Sequence, residues 1–132
     1  MFSHLMIGAN DLAAGHAFYE AVFQALGGPA GRRVEVAGIT RYVWSHHDMS
    51  FMIAQPRDGK PSTLYNGFTL GLKAESTQQV DAALEAALRH GGAAIEGPVG
   101  WRETPALKLY LAYVRDPAGH KLCIGYKQLK HA

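Results

Sequence analysis

Two different periods of apolar residues alternate along this chain and mark out its elements. The run Ser3-His4-Leu5-Met6-Ile7-Gly8-Ala9 is apolar and of strand length. Leu12, Phe18, Val22 and Leu26 then recur near helical spacing, with Tyr19 and Phe23 widening the stripe. Asn10 or Asp11 can cap that helix by accepting a hydrogen bond from a free N–H, and Gly27-Gly28-Pro29 ends it. Three shorter strands are expected over 33–36, 39–44 and 50–54, separated by Gly38 and by His46-His47-Asp48. From 55 to 67 the composition shifts to Pro56, Asp58-Gly59, Pro61, Ser62 and Asn66, which marks a linker.

After the linker the plan restarts. A strand is expected over 68–74. Ser76-Thr77-Gln78-Gln79 fits a capping box, in which the serine bonds forward and the glutamine bonds back. Val80, Ala83, Leu84, Ala87 and Leu88 give an amphipathic helix that Gly91-Gly92 ends. A short strand over 94–96 follows, then a Gly- and Pro-rich loop that carries Trp101-Arg102 as far as Pro105. In the closing hairpin Leu107, Leu109, Leu111 and Tyr113 alternate with Lys108, Tyr110 and Ala112. Asp116-Pro117-Ala118-Gly119 suits a type I turn, and a last strand runs from 122 to 126. His4 and Thr69 stand 65 positions apart, as do Asp11 and Ser76, so the two halves overlay. Neither half can bury its own sheet face, and the two must pair to close a core.

This doubled βαβββ plan resembles the vicinal oxygen chelate superfamily of glyoxalases, bleomycin-resistance proteins and extradiol dioxygenases. His4, Asp11-Leu12 and Phe18-Tyr19 carry the resemblance in the first half, and Asp116-Pro117-Ala118-Gly119-His120 carries it before the last strand. It covers essentially the whole chain. It implies an α+β fold in one domain over 1–132. Modules 1–56 and 66–127, joined by a linker 57–65, would form curved mixed sheets around a cleft. It also implies a homodimer. Metal-dependent members hold a divalent ion with open positions, where vicinal oxygens of a substrate chelate it and it acts as a Lewis acid. Carried across, the first ligand position matches His4 and the second module's histidine falls on Thr69. The last-strand glutamate falls on Cys123, and the remaining position falls near Phe51 or Met52. Three protein ligands are usual for a catalytic zinc site, and one imidazole does not hold one. The expectation is therefore no cofactor. The alternative is a zinc, nickel, iron or manganese ion in a rearranged site around His4, with Cys123 as a soft ligand.

Composition narrows the partners. At 132 residues, with 48% hydrophobic and 18% charged, the chain is one domain's worth of compact protein. A net charge of +2, with no basic stretch interleaved with aromatics, argues against a nucleic-acid partner. No apolar run approaches the roughly 18 residues needed to span a bilayer, so no membrane partner is expected. The single cysteine excludes an internal disulfide and fits a reducing, cytoplasmic setting. The start lacks the charged-then-apolar plan of a signal peptide.

The ligand-binding candidates are His4, Trp44, Thr69, Trp101, Arg102, Tyr110 and Cys123. Trp101 and Arg102 would offer an aromatic body beside a cation, suited to a planar or anionic ligand. Tyr110 would face the cleft if Leu109 and Leu111 face the helices. Each has a structural alternative: a core histidine, a buried inert thiol, aromatic packing. Asp116 and His120 read as turn residues. Two functions follow from the resemblance. One is a protein that binds a small organic molecule in its cleft with the family metal site largely lost. The other is a metal-dependent lyase, isomerase or dioxygenase built around His4.

Overall fold

Caps and glycine stops set where each element begins and ends. In the computed structural model, which describes residues 1–130, the first module holds β1 (His4–Gly8), α1 (Leu12–Ala25), β2 (Arg32–Val36), β3 (Ile39–His46) and β4 (Met49–Ala54). The second holds β5 (Leu70–Lys73), α2 (Thr77–Arg89), β6 (Ala93–Glu103), β7 (Leu107–Arg115) and β8 (Lys121–Leu129). Asp11 caps α1, its carboxylate accepting from Ala14 N at 3.0 Å. Ser76 caps α2 by accepting from Gln79 N at 3.1 Å. The Gln79 side chain reaches back to Glu75 N, one residue earlier than the capping box requires. Both helices stop alike. Gly27 and Gly91 take φ of 77° and 89°, and the next amide returns to the last turn, Gly28 N to Phe23 O and Gly92 N to Ala87 O, each at 2.8 Å.

The two modules build equivalent sheets, ordered β1-β4-β3-β2 and β5-β8-β7-β6. In each, the first strand is an edge that pairs parallel with the last, and the remaining pairs are antiparallel. Two hairpins of the first sheet turn on two residues each, Ala37-Gly38 and His47-Asp48, all with positive φ. That is the type I′ geometry, whose twist matches the flanking strands.

The second module departs from expectation before its hairpin. No long loop precedes β7. β6 runs from Ala93 to Glu103 with one interruption, its register jumping from Ile95 opposite Tyr113 to Gly100 opposite Leu111. Glu96 and Gly97, at φ 57° and 86°, divert the chain there, and Pro98 sits where no ladder N–H is required. Trp101 and Arg102 therefore lie on a strand, not in a loop. β5 is shorter than expected and leaves the exposed Thr69 just before it.

One core serves both modules. Phe18 and Val22 of α1, Val80, Ala83 and Ala87 of α2, and Val114, Leu122 and Ile124 of the second sheet are all fully buried. α1 and α2 pack on one another, with small residues such as Ala83 and Ala87 on the buried face of α2. A buried polar network fastens the modules. The Tyr19 hydroxyl donates to Asp116 Oδ2 at 2.6 Å, while Asp116 Oδ1 accepts from Gly119 N and His120 N at 2.9 and 2.8 Å. The His120 ring then meets the Gly8 carbonyl through Nε2 at 2.9 Å, so that nitrogen is the donor. Asp116 and His120 are turn residues, as their positions imply, but they also bind the second module to the first. No helix among the described residues is long and apolar enough to cross a membrane.

Candidate functional site

Alternation along the strands gives each sheet a helix-facing side and an open side. On β8, Leu122 and Ile124 are buried against the helices, so Lys121, Cys123 and Gly125 point to the open side. Their partners on β7 follow, with Tyr113 opposite Cys123 and Leu111 opposite Gly125. Arg102, opposite Leu109, shares that side. Its guanidinium lies 5.3 Å from the centre of the Tyr113 ring, and Lys121 Nζ lies 5.0 Å from the same ring. Lys121 also pairs with the Glu96 carboxylate at 2.8 Å, and Arg102 Nη2 donates to the Glu96 carbonyl at 3.2 Å. Arg102 Nη1 is buried without a protein partner. In the first sheet Phe51 and Ile53 face α1, which leaves His4, Met6, Ser50 and Met52 on the open side. The exposed His4 ring bonds through Nδ1 to its neighbour Ser3 Oγ at 2.8 Å.

The same parity moves three candidates. Ala112 and Val114 occupy the helix-facing side of β7, so Tyr110 falls there too, and Leu109 and Leu111 take the open side. The expected placement of Tyr110 is thus reversed. Its hydroxyl donates to Asp81 of α2 at 2.8 Å, a bond that raises its pKa above the ordinary tyrosine value. Trp101 sits edge-on to Tyr110 at 5.2 Å, on the opposite side of the sheet from Arg102. Successive residues of a strand cannot share a face, so Trp101 and Arg102 do not form one binding surface. Trp44 also faces α1, among Tyr19, Phe23 and Phe51, and its indole N–H donates to Glu20 at 2.9 Å.

Trp44 does line a cavity. A pocket of about 410 Å³ opens between the first sheet, the C-terminal half of α1 and β5. Leu5, Phe23, Leu26, Trp44, Phe51 and Leu72 make its apolar walls. His46, His47, Lys73 and Glu75 supply polar groups around them. Glu20 Oε1 holds both the Trp44 indole and the Gly31 amide, at 2.9 and 2.8 Å, so this wall is fixed before anything binds. A Cβ at Gly31 would lie 2.6 Å from the indole, which makes that close approach possible only for glycine.

Of the sequence candidates, Arg102 and Cys123 come together, Trp44 lines the seam between modules, and His4 and Thr69 stay at the strand surface. Tyr113 is the residue sequence reasoning missed at the open-side cluster. Its place in phase with Leu109 and Leu111 was visible, but its register against Cys123 was not. Phe23, Phe51 and Glu20 were likewise missed as pocket residues, because they look like ordinary helix and strand positions.

The sequence matches the Glyoxalase/Bleomycin resistance protein/Dioxygenase superfamily over residues 1–124. The chain belongs to this superfamily. A glyoxalase/bleomycin resistance protein from Albidiferax ferrireducens T118 is 41% identical and superposes with a TM-score of 0.85, over 97% of this chain and 99% of that one. A glyoxalase/bleomycin resistance protein/dioxygenase family enzyme from Burkholderia phytofirmans PsJN shares the fold at 20% identity, with a TM-score of 0.67 over 94% of this chain and 96% of that one. A lactoylglutathione lyase from Agrobacterium tumefaciens does so at 17%, with a TM-score of 0.60 over 96% of this chain and 92% of that one. No functionally curated protein matches the sequence.

The donors at the superfamily's ligand positions in this chain differ from the usual divalent-metal set. Among the described residues no three His, Cys, Asp or Glu side chains gather as a metal-holding group. Of the superfamily ligand positions, His4 offers an imidazole, whereas Thr69 is a weak ligand and Cys123 binds a metal only as thiolate. Burial raises the Cys123 pKa, and the nearby Tyr113 hydroxyl, Arg102 and Lys121 offset that only in part. Cys123 is accordingly expected to react with iodoacetamide at pH 7.5 more slowly than free cysteine, speeding up as pH rises past the ordinary thiol range. Alkylation at the free-cysteine rate would show that the thiolate is stabilised instead.

Proposed function

We propose that this superfamily member binds a small, uncharged, aromatic or aliphatic organic molecule in the seam pocket lined by Trp44, and that its metal site is largely lost. The observation that carries this is the pocket itself. Its volume, about 410 Å³, falls within the range of small-molecule sites, and apolar and aromatic walls with a few polar groups are their usual composition. Anchoring Trp44 to Glu20 means little ordering is required on binding. The superfamily fold hosts several chemistries, so the reading rests on this pocket and not on the fold.

Trp44 and Trp101 are the only tryptophans, so a Trp101→Phe variant leaves Trp44 as the sole indole reporter. Titration with N-phenyl-1-naphthylamine, an uncharged aromatic probe, is expected to quench Trp44 saturably at one molecule per chain. Adding Leu26→Phe and Leu72→Phe narrows the cavity and is expected to weaken binding about tenfold or more, roughly the effect of two misfitted apolar contacts, with the thermal melt preserved. Equal affinity in the filled variant, or no saturable quenching, would sink the proposal.

A further inference from the structure

We infer that a second cavity, beneath the linker, is a binding site for the oxyanion group of a small organic molecule. Residues 55–63 fold back across the open side of the first sheet. Asn10 Oδ1 accepts from Ser62 N at 2.6 Å, and a turn closes where Gly59 N donates to Pro56 O at 3.1 Å. The approach is close at Gly8, where an added Cβ would stand 2.7 Å from Ser62 Cβ. The pocket between linker and sheet is open to solvent and has a volume of about 630 Å³. None of its lining residues lines the seam pocket, so this site stands independently of the function proposed above.

The wall carries Arg41, Arg57 and Lys60 against one carboxylate, Asp58, whose Oδ1 accepts from Lys60 N at 2.9 Å. Arg41 projects from β3 on the open side, opposite Ala54 of β4 and Val34 of β2. It makes no ion pair among the described residues, and its Nε is buried with no hydrogen-bond partner. A buried charged donor without a partner is unfavourable, and the excess of three cations over one carboxylate at this wall favours an anion beside it. A guanidinium presents its N–H groups as a planar fork that matches carboxylate or phosphate oxygens two at a time. Ser62 and Thr63 add hydroxyls at the same cavity, and Met6, Ile39 and Pro56 give the apolar surface for the rest of the molecule.

Benzoate and phenyl phosphate separate the two oxyanion sources, and benzyl alcohol supplies the same ring without charge. Amide NMR titration of the full chain is expected to show saturable shifts at Arg41, Ser62 and Thr63 with at least one anion, and none there with benzyl alcohol. Arg41→Met is expected to weaken the anion about tenfold or more, consistent with loss of a charge-assisted fork. Arg41→Lys, which keeps the charge but not the fork, should fall between the two. Thermal melts of both variants establish that they fold. Binding of benzyl alcohol as tight as the anions, shifts located elsewhere, or an unchanged affinity in a folded Arg41→Met protein would each overturn the inference.

Discussion

Replacing Asp116 with alanine is expected to lower the melting temperature by about 10–15 °C, from a loss of roughly 3–4 kcal/mol. One oxygen of this buried carboxylate holds two turn amides, and the other accepts from the Tyr19 hydroxyl 97 residues away. Alanine removes all three bonds and leaves a buried hydroxyl with nothing to donate to, which is worse than never having had it. Tyr19→Phe alone removes one bond and leaves the buried Asp116 Oδ2 without its donor, while Oδ1 keeps its two turn amides; about 1–3 kcal/mol is expected. Combined, the two changes should be less than additive by about 1–2 kcal/mol. Strict additivity in urea melts would mean that the hydroxyl and the carboxylate do not support one another.

The same pair has a pH signature. Burial, then the Asp116 charge and hydrogen bond, push the Tyr19 pKa well above its ordinary value of 10.0. Below that value the tyrosine is protonated both folded and unfolded, and its contribution is constant. Above it the unfolded chain releases the proton first, the native state holds more protons, and stability falls as pH rises. Alkaline melts of Tyr19→Phe should lack this share of the decline.

The second large effect is expected at Gly92, where alanine should destabilise by about 2 kcal/mol or more and should not be rescued by making room. An added Cβ would stand 2.7 Å from both Ala87 O and Phe18 Cε2, and 3.0 Å from Arg115 O. Two of these three obstacles are backbone, one of them the carbonyl that accepts the Gly92 amide at the end of α2. Phe18 is fully buried, and Phe18→Ala should by itself remove about 3–5 kcal/mol. Were Phe18 the only obstacle, Gly92→Ala would become nearly neutral in the Phe18→Ala background. Calorimetry should instead find most of its effect intact, because the carbonyls do not move with the ring.

The repeat, both helices and their stops were legible because each was signalled more than once. Ser76 with Gln79, the i, i+3, i+4 stripe and Gly91-Gly92 all mark the same helix. β6 was not legible past Ile95, since Gly97-Pro98 signals a loop and nothing local says that the strand resumes. The faces of β7 were read the wrong way round for a physical reason. Leucine is more apolar than tyrosine or alanine, yet the space under α2 takes the small Ala112 and Val114, and Tyr110 follows them by parity. At the sites, Trp44 was visible as an aromatic in a strand, but its pocket depends on how two modules meet. Arg41 carried no signal at all; only the linker folded over it shows that its Nε is without a partner.

The fastening of His120 to Gly8 and of Asp116 to Tyr19 has a temporal side. During synthesis the first module emerges with Phe18, Tyr19 and the Gly8 carbonyl still waiting for residues near the far end of the chain. The Tyr19 hydroxyl and the Gly8 carbonyl gain these partners only once the hairpin that carries Asp116 and His120 has been made. A protease cut in that hairpin should accordingly release both halves together, and the intact chain should melt in one transition, not in two.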